Sequence, residues 1–130
     1  MVALIRKISK KDYPDATQLI QKIFPKSEGR FLPGDKIWIA ESDGQLIGFI
    51  RISKQKDKLL LNGLGVLPTF RSQGIGTQLL EHALAVLQKS SLPIYLKVRA
   101  LNPVVDLYDR FGFMLKKFGA THVLVKKAKT

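Results

Sequence analysis

The sequence predicts one mixed α/β domain, and three observations support this prediction. The chain has 130 residues, which is long enough for one hydrophobic core and too short for two. Apolar runs of strand length alternate with amphipathic segments in the order β-α, a β meander, then β-α-β-α-β-β. The helical segment at 74–89 lies between two apolar strands, which predicts a parallel pair around it. We therefore expect a single domain over residues 1–130.

The first predicted elements are a strand and a helix. VALIRKI (2–8) is rich in β-branched residues, as strands are. SKKD (9–12) has the spacing of a capping box, and Pro14 stands where a first helical turn tolerates proline. Apolar residues then follow at helical spacing as far as Pro25, which ends the helix. The segment PKSEGRFLPGD (25–35) mixes glycine, proline and charge, and is predicted to be a loop.

A β meander is predicted next. KIWIAES and QLIGFIRIS flank the Asp-Gly pair at 43–44, and such a pair between two apolar strands is a strong hairpin signal. The charged turn KQKDK leads into LLLNGLGV (59–66), which is predicted to be a buried third strand. Gly63 and Gly65 are unusual inside a strand, and they indicate a β-bulge or a close approach to the backbone.

The second half of the chain alternates helices and strands. TQLLEHALAVLQK (77–89) carries a wide apolar stripe, and IYLKV (94–98) is predicted to be a short strand in the sheet interior. NPVVDLYDRFGF (102–113) has the signature of a compact helix, with Asn102 as its N-cap and Gly112 as its end. FMLKKF and THVLVKK are predicted to be two further short strands.

The composition excludes several classes of function. The chain has no cysteine, which excludes disulfides, thiolate nucleophiles and cysteine zinc sites. Its histidines are His82 and His122 alone, so a histidine metal site is not expected. Its apolar runs are too short for a signal peptide or a membrane span, and we expect a cytoplasmic protein. The formal net charge of +12 attracts anions, such as a phosphorylated cofactor, nucleic acid or an acidic partner, and repels polycations.

The stretch RSQGIG (71–76) indicates a phosphate-binding loop. A helix N-terminus presents unpaired backbone N–H groups and the positive end of the helix dipole. Gly74 and Gly76 let an anion approach these groups directly, and Arg71 adds positive charge. The P-loop pattern is absent, and the dinucleotide fingerprint would need a third glycine where Leu79 stands. Alternatively, the two glycines serve only the close packing of a strand against a helix.

Two segments of the chain resemble motifs of the GNAT superfamily of N-acetyltransferases. VLPTFRSQGIGTQLL is similar to the acyl-CoA-binding motif, a [RQ]-x-x-G-x-[GA] loop that follows a strand, a proline and an aromatic residue. NPVVDLYDRFGF is similar to the N-x5-Y-x3-G-F segment of the same family. The matching residues are Val66, Pro68, Phe70, Arg71, Gly74 and Gly76 in the first segment, and Asn102, Tyr108, Gly112 and Phe113 in the second. The resemblance covers essentially the whole chain.

The resemblance implies a fold and a cosubstrate. The fold is that of the acyl-CoA N-acyltransferases, a central mixed sheet of six to seven strands with about four helices. In this family the fourth and fifth strands splay apart, and the pantetheine arm of acetyl-CoA pairs with the fourth strand, where Gly63 and Gly65 would permit its close approach. No metal is implied. The implied cofactor-binding residues are Leu64, Val66, Arg71, Ser72, Gln73, Gly74, Ile75, Gly76, Thr77 and Asn102, with Arg110 either a further phosphate contact or a solvated helix residue.

The reaction that the resemblance implies is direct attack of a neutral amine on the thioester of acetyl-CoA in a ternary complex. A backbone N–H of the fourth strand polarises the carbonyl group, and Tyr108 protonates the departing thiolate. A phenol with a pKa near ~10 still holds its proton at pH 7. Alternatively, Tyr108 is an ordinary half-buried aromatic residue of its helix.

The predicted fourth strand lacks one feature of many relatives, a glutamate that serves as general base. In LLLNGLGV the one polar side chain is Asn62, which cannot usefully accept a proton. Glu28 and Glu41 are candidates elsewhere, although each is expected to be solvent-exposed. Without a base, an α-amine with a pKa near ~8 is roughly a tenth neutral at pH 7, whereas a lysine-type amine is neutral only to about four parts in ten thousand. We therefore expect an acceptor amine of low pKa, which is either a protein or peptide N-terminus or a small molecule such as an amino acid, an aromatic amine or another activated amine.

The sequence thus predicts an acetyl-CoA-dependent N-acetyltransferase, and two alternatives differ in class. One is a catalytically weak module that binds acyl-CoA or a partner, which the missing glutamate favours. The other is a nucleic-acid-binding module, which is not expected because the basic residues are scattered and the common recognition motifs are absent. By resemblance, the acceptor pocket is expected from residues 25–35 and 114–125. The sequence leaves the oligomeric state open, with a homodimer among the alternatives.

Overall fold

The computed structural model describes residues 3–26, 29, 31, 34–99, 104–117 and 121–126. Seven strands lie in these ranges: β1 (Leu4–Lys7), β2 (Lys36–Ser42), β3 (Gln45–Lys54), β4 (Leu59–Val66), β5 (Ile94–Arg99), β6 (Met114–Lys117) and β7 (Thr121–Lys126). Three α-helices lie there as well: α1 (Tyr13–Ile23), α2 (Ile75–Leu87) and α3 (Val104–Arg110), with two short 3₁₀ turns at Lys10–Asp12 and Pro68–Phe70. The strands form one sheet in the order β1-β2-β3-β4-β5-β7-β6. The predicted mixed sheet of six to seven strands is therefore confirmed with seven, while the described ranges hold three of the roughly four helices expected.

The predicted meander forms the first half of the sheet. The β2–β3 hairpin turns at Asp43 and Gly44, whose φ angles of 50° and 78° are those of the left-handed region. Asparagine, aspartate and glycine tolerate this region best, which is why the Asp-Gly pair specifies the turn. The pairs β1–β2, β2–β3 and β3–β4 are all antiparallel, as the sequence predicts for a meander.

Strands β4 and β5 form the predicted parallel pair, but only over a short length. Their paired residues are Leu59 with Ile94, Leu60 with Tyr95, and Leu61 with Leu96. Beyond Leu61, β4 continues to Val66 while paired with β3 alone among the described strands. The two strands therefore diverge and leave a gap beside the second half of β4. This is the splay that the family resemblance implies.

A β-bulge lies where the two strands diverge. In the β3–β4 register, Arg51 is opposite Gly63 and Ile52 is opposite Leu61, so Asn62 has no partner residue. An extra residue of this kind disrupts the ladder locally and re-aims the side chains around it. The bulge predicted from the glycines of this strand is confirmed, and Asn62 is its extra residue.

Helices cover both faces of the sheet. On one face, α2 packs its buried residues Ile75, Leu79, Leu80, Ala83, Leu84 and Leu87 against side chains that include Ile50 and Ile52 of β3. On the other face, Leu19 and Ile20 of α1 pack against Phe49 of β3 and Ile37 and Ile39 of β2. Successive side chains of a strand point to opposite faces, so β3 contributes to both cores. Within the described ranges, none of the helices has both the length and the apolar character that crossing a membrane requires.

Candidate active site

The N-terminus of α2 lies directly after the diverging end of β4. The 3₁₀ turn Pro68–Phe70 and the residues that follow it connect the two elements, and Gly74 is the N-cap of α2 with a φ of 79°. The first intrahelical bond runs from the N–H of Gln78 to the carbonyl oxygen of Gly74, over 3.0 Å. The N–H groups of Ile75, Gly76 and Thr77 come before this bond, so they have no acceptor within the helix.

An open pocket of about 420 Å³ lies at this helix N-terminus. It is lined by Val66, Phe70, Arg71, Ser72, Gly74, Ile75, Gly76, Thr77, Leu107 and Arg110. Seven of these are among the ten residues that the sequence predicts for cofactor binding. Leu64 and Gln73 are not in the lining, and Asn102 lies outside the described residues. The lining adds Phe70 and Leu107, which the sequence analysis did not propose as contacts.

Two guanidinium groups give the pocket a positive character. Arg71 donates from Nε to the carbonyl oxygen of Val66 over 2.9 Å, which fastens the loop to the end of β4. Arg110 lines the same pocket from α3, where its spacing of three residues from Leu107 puts both on one side of the helix. The residues that line the pocket include no carboxylate. The helix dipole and both arginines therefore favour an anion here.

The glycines near the gap lack a side chain for different reasons. At Gly74 the backbone itself favours glycine, because its φ of 79° is in the left-handed region. At Gly76 a Cβ would meet nothing closer than Val66 Cγ2 at 3.9 Å, an ordinary contact. In β4, a Cβ at Gly65 would lie 2.8 Å from Ile23 Cγ2, and one at Gly63 would lie 3.0 Å from a ring carbon of Phe49. The close approach predicted at these two glycines is thus made by the protein's own side chains.

The second half of β4 turns backbone groups toward the gap. The N–H of Leu67 donates to the carbonyl oxygen of Ile47 on β3, whereas the carbonyl of Val66 points the other way and accepts from Arg71. Backbone groups alternate along a strand, so those of Leu64 also face away from β3. Since β5 has diverged at this point, Leu64 and Val66 present main-chain donors and acceptors at a strand edge that no described strand pairs with.

Tyr108 is more deeply buried than an ordinary half-buried helix residue. It is 5% exposed, and its ring packs edge-on against Phe113 with the ring centroids 5.6 Å apart. Within the described part of the chain its phenol oxygen makes no hydrogen bond. Burial raises the pKa of Tyr108 to about 12, so the phenol holds its proton at neutral pH. Its neighbour Leu107 lines the pocket, and Tyr108 does not.

Of the two glutamates considered as alternative bases, the structure describes Glu41, which lies away from the gap. Glu41 lies on β2, where its Oε1 accepts from Arg6 Nε over 3.2 Å, and β3 separates it from β4. Glu28 lies outside the described residues.

A polar network beside the bulge was not predicted from the sequence. Asp35 precedes β2, and its carboxylate accepts from Arg51 and Ser53 of β3. The one local signal was the placement of Arg51 and Ser53 at alternate positions of an otherwise apolar strand, which puts them on one face. Their partner stands 16 and 18 residues earlier in the chain, which a local pattern does not indicate.

Comparison with known proteins identifies the family. Residues 3–113 match the acetyltransferase (GNAT) family, and the chain belongs to it. The chain is 31% identical over 114 residues to the [ribosomal protein bS18]-alanine N-acetyltransferase of Salmonella typhimurium, covering 82% of this chain and 77% of that protein. It is 34% identical over 91 residues to an N-alpha-acetyltransferase of Sulfurisphaera tokodaii, covering 58% of this chain and 54% of that protein. The chain thus spans about half the length of the first curated relatives that it matches.

Solved structures confirm the fold. The PaiA N-acetyltransferase of Thermoplasma acidophilum, in complex with coenzyme A, matches with a TM-score of 0.79 at 22% identity, over 98% of this chain and 99% of that one. Arabidopsis thaliana NAA60, in complex with a bisubstrate analogue, matches with a TM-score of 0.80 at 22% identity, over 98% of both chains. The predicted family and the predicted acyl-CoA N-acyltransferase fold are both confirmed.

Proposed function

We propose that this protein is an N-acetyltransferase that transfers the acetyl group of acetyl-CoA to an amine by direct attack in a ternary complex. One observation carries the proposal: the gap between β4 and β5 opens beside the positively charged N-terminus of α2. A strand edge suited to an extended amide-containing arm therefore adjoins a site suited to a pyrophosphate. Coenzyme A contains both an amide-containing arm and a pyrophosphate, and coenzyme A is present in the solved structure of the PaiA relative.

The pocket at α2 would hold the pyrophosphate. Its oxygens would accept from the N–H groups of Ile75, Gly76 and Thr77, with Ser72 and Gln73 completing the loop. Arg71 and Arg110 would add charge-assisted hydrogen bonds from the two sides of the pocket. Gly76 supports this assignment, because the fold itself leaves room there for a side chain. Asn102 stays a predicted contact.

The gap would hold the pantetheine arm and the thioester. The outward backbone groups of Leu64 and Val66 would pair with the arm as a neighbouring strand does. The carbonyl of Val66 already accepts from Arg71, and a carbonyl oxygen has a second lone pair for the arm. The N–H of Leu64 would polarise the thioester carbonyl and stabilise the developing oxyanion.

Tyr108 would protonate the thiolate of coenzyme A as it leaves. Its buried phenol has no partner in the described part of the chain, and its pKa of about 12 keeps it in the acid form. Tyr108→Phe should lower kcat by about 10²-fold and leave the KM for acetyl-CoA nearly unchanged, because the phenol acts in the transition state. The acid form is lost only above the raised pKa, so wild-type kcat should not decline between pH 7 and 9. An unchanged kcat in Tyr108→Phe would mean that Tyr108 contributes only to packing.

The acceptor that we infer is the α-amino group of a protein or peptide. Strand β4 contains no acidic residue, and Glu41 is engaged with Arg6 on the far side of β3. Neither β4 nor Glu41 therefore provides a general base at the gap, which favours an amine that is already partly neutral. The two curated relatives described above are named for transfer to α-amines, which agrees with this inference.

The test is an acetyl-CoA turnover assay read by release of free thiol. A peptide with a free N-terminal alanine should exceed spermidine at pH 7 by about 10²-fold at equal concentration, the ratio of their neutral fractions. The preference should shrink as the pH rises to 9. Spermidine as the better acceptor at pH 7 would contradict the inferred acceptor. Binding of coenzyme A without turnover of any amine would support the catalytically weak module instead. The cytoplasmic location, the single domain over residues 1–130 and the oligomeric state stay predictions.

A further inference from the structure

A buried carboxylate lies at one end of a hydrogen-bond chain that leads to the bulge of β4. The side chain of Asp35 is 4% exposed, and its Oδ2 accepts from Arg51 Nε over 2.9 Å and from Arg51 Nη2 over 2.8 Å. Its Oδ1 accepts from Ser53 Oγ over 2.9 Å. Ser53 Oγ in turn accepts from Nδ2 of Asn62, the extra residue of the bulge.

The direction of each hydrogen bond in this series fixes the orientation of the Asn62 amide group. The carboxylate of Asp35, which is paired with a guanidinium group, accepts hydrogen bonds, so the single hydroxyl hydrogen of Ser53 is given to Asp35. Ser53 Oγ must then accept from Asn62, which requires Nδ2 of the amide to face Ser53. The amide oxygen, Oδ1, therefore faces away from Ser53. Asn62 is exposed, and within the described residues its Oδ1 has no donor.

Asn62 lies where the gap between β4 and β5 begins. It is the first residue of β4 beyond the last pair with β5, Leu61 with Leu96. It precedes Leu64 by two residues, about 6 to 7 Å along a strand. Its partner Ser53 is on the α1 face of the sheet, because Ile52 packs toward α2 and successive side chains alternate. The residues that line the pocket at the N-terminus of α2 include Ile75 and Leu107, which pack with Ile50 and Ile52 in the core on the other face.

We propose that Asn62 is an acceptor-binding residue, whose Oδ1 accepts a hydrogen bond from the amine that enters the gap from the α1 face. Ser53 and Asp35 are positioning residues, since they hold the amide with its oxygen outward. The proposal rests on the proposed function, because the thioester must lie beside Leu64. An amide oxygen orients an amine without removing its proton. Asn62 would thus bind and orient the acceptor amine, whereas the solvent would remove its proton.

The experiment compares variants that remove the amide, its anchor or neither. Asn62→Leu has a similar volume and no hydrogen-bonding group, and it should raise the KM for an alanine-initiated peptide about tenfold, as loss of one hydrogen bond does. The KM for acetyl-CoA should stay within about twofold. Ser53→Ala frees the amide to rotate and should raise the peptide KM about threefold, whereas Ser53→Thr keeps the hydroxyl group and should restore it. Gln45→Leu, at an exposed position at the start of β3, is the matched control.

Calorimetry separates binding from chemistry. The Kd of the same peptide for the protein saturated with coenzyme A should also rise about tenfold in Asn62→Leu, with the unfolding midpoint close to that of wild type. An unchanged peptide KM in Asn62→Leu, with wild-type turnover normal, overturns this inference alone. An equal rise in both KM values also overturns it, because it indicates a general disturbance of the gap. A wild type that does not bind coenzyme A overturns the proposed function and this inference together.

Discussion

Two pairs of glycines lie near the gap, one in β4 and one at the start of α2, and they differ in what surrounds them. Gly63 and Gly65 are covered by aromatic and aliphatic side chains, so the space beside each is already filled. Gly74 and Gly76 have open space beside them. The absence of a side chain at Gly63 and Gly65 is explained by the side chains that pack beside them on the α1 face of the sheet. In the second pair Gly74 is explained by its backbone conformation, and Gly76 by nothing within the fold.

The difference separates glycines that serve the fold from glycines that serve a ligand. In the sequence both pairs have the same G-x-G spacing. One pair lies just before the end of β4, and the other follows that end. Only the atoms beside each Cα distinguish them, and these belong to residues distant in the chain. A glycine with an ordinary φ and free space beside it, at a helix N-terminus between two arginines, points to a molecule outside the chain. Gly76 is therefore the residue that most strongly supports the cofactor pocket.

The largest expected effect is at Gly76. Gly76→Val should lower the affinity for coenzyme A at least about 100-fold, equivalent to about 2.7 kcal/mol, because its side chain would occupy the space of the phosphate oxygens. The free energy of unfolding should change by less than about 0.5 kcal/mol, since valine is tolerated in a helix better than glycine. Calorimetric titration and urea unfolding measure the two quantities. Gln78→Val, exposed on the same helix and outside the pocket, should leave both unchanged. Full affinity in Gly76→Val would remove the distinction between the two pairs.

The opposite result is expected at Gly65. Gly65→Ala should lower the free energy of unfolding by about 1 to 3 kcal/mol, the usual cost of overpacking. Its Cβ would lie 2.8 Å from Cγ2 of Ile23 and 3.1 Å from a ring carbon of Phe24. Ile23 is β-branched and stiff, so it cannot yield by simple rotation. In a double-mutant cycle Ile23→Ala should recover part of the loss, with a coupling above about 0.5 kcal/mol. Additive effects in that cycle would mean that the clash is not with Ile23.

The elements of the fold were predictable because their signals are local. The Asp-Gly turn at 43–44, the proline in the first turn of α1 and the apolar stripe of α2 each depend on neighbouring residues, and each formed where predicted. The bulge was predicted from glycines but has Asn62 as its extra residue, because a bulge is set by the register of two strands. A glycine in the sequence indicates only that one strand is irregular.

The candidate site was only partly predictable. The loop residues from Arg71 to Thr77 were predicted because a family motif is continuous in the chain, and six of these seven line the pocket. Leu107 joins them from a separate helix, through a contact that only the folded chain provides. The network of Asp35, Arg51 and Ser53 was missed for the same reason, since its members come from a loop and a strand that are distant in sequence.

The smallest effect is expected at Gly74, where the cause is the backbone alone. Gly74→Ala would force a Cβ into a left-handed φ of 79° with no atom within 4 Å, so steric contact with neighbours adds nothing. The free energy of unfolding should fall by about 1 kcal/mol, equivalent to a decrease of about 4 °C in Tm for a domain of this size. Gly74→Asn should lose less than half of that, because asparagine enters this region more readily than alanine. Equal losses for the two variants would show that the left-handed backbone of Gly74 is not the cause of the loss, because asparagine adopts that conformation more readily than alanine.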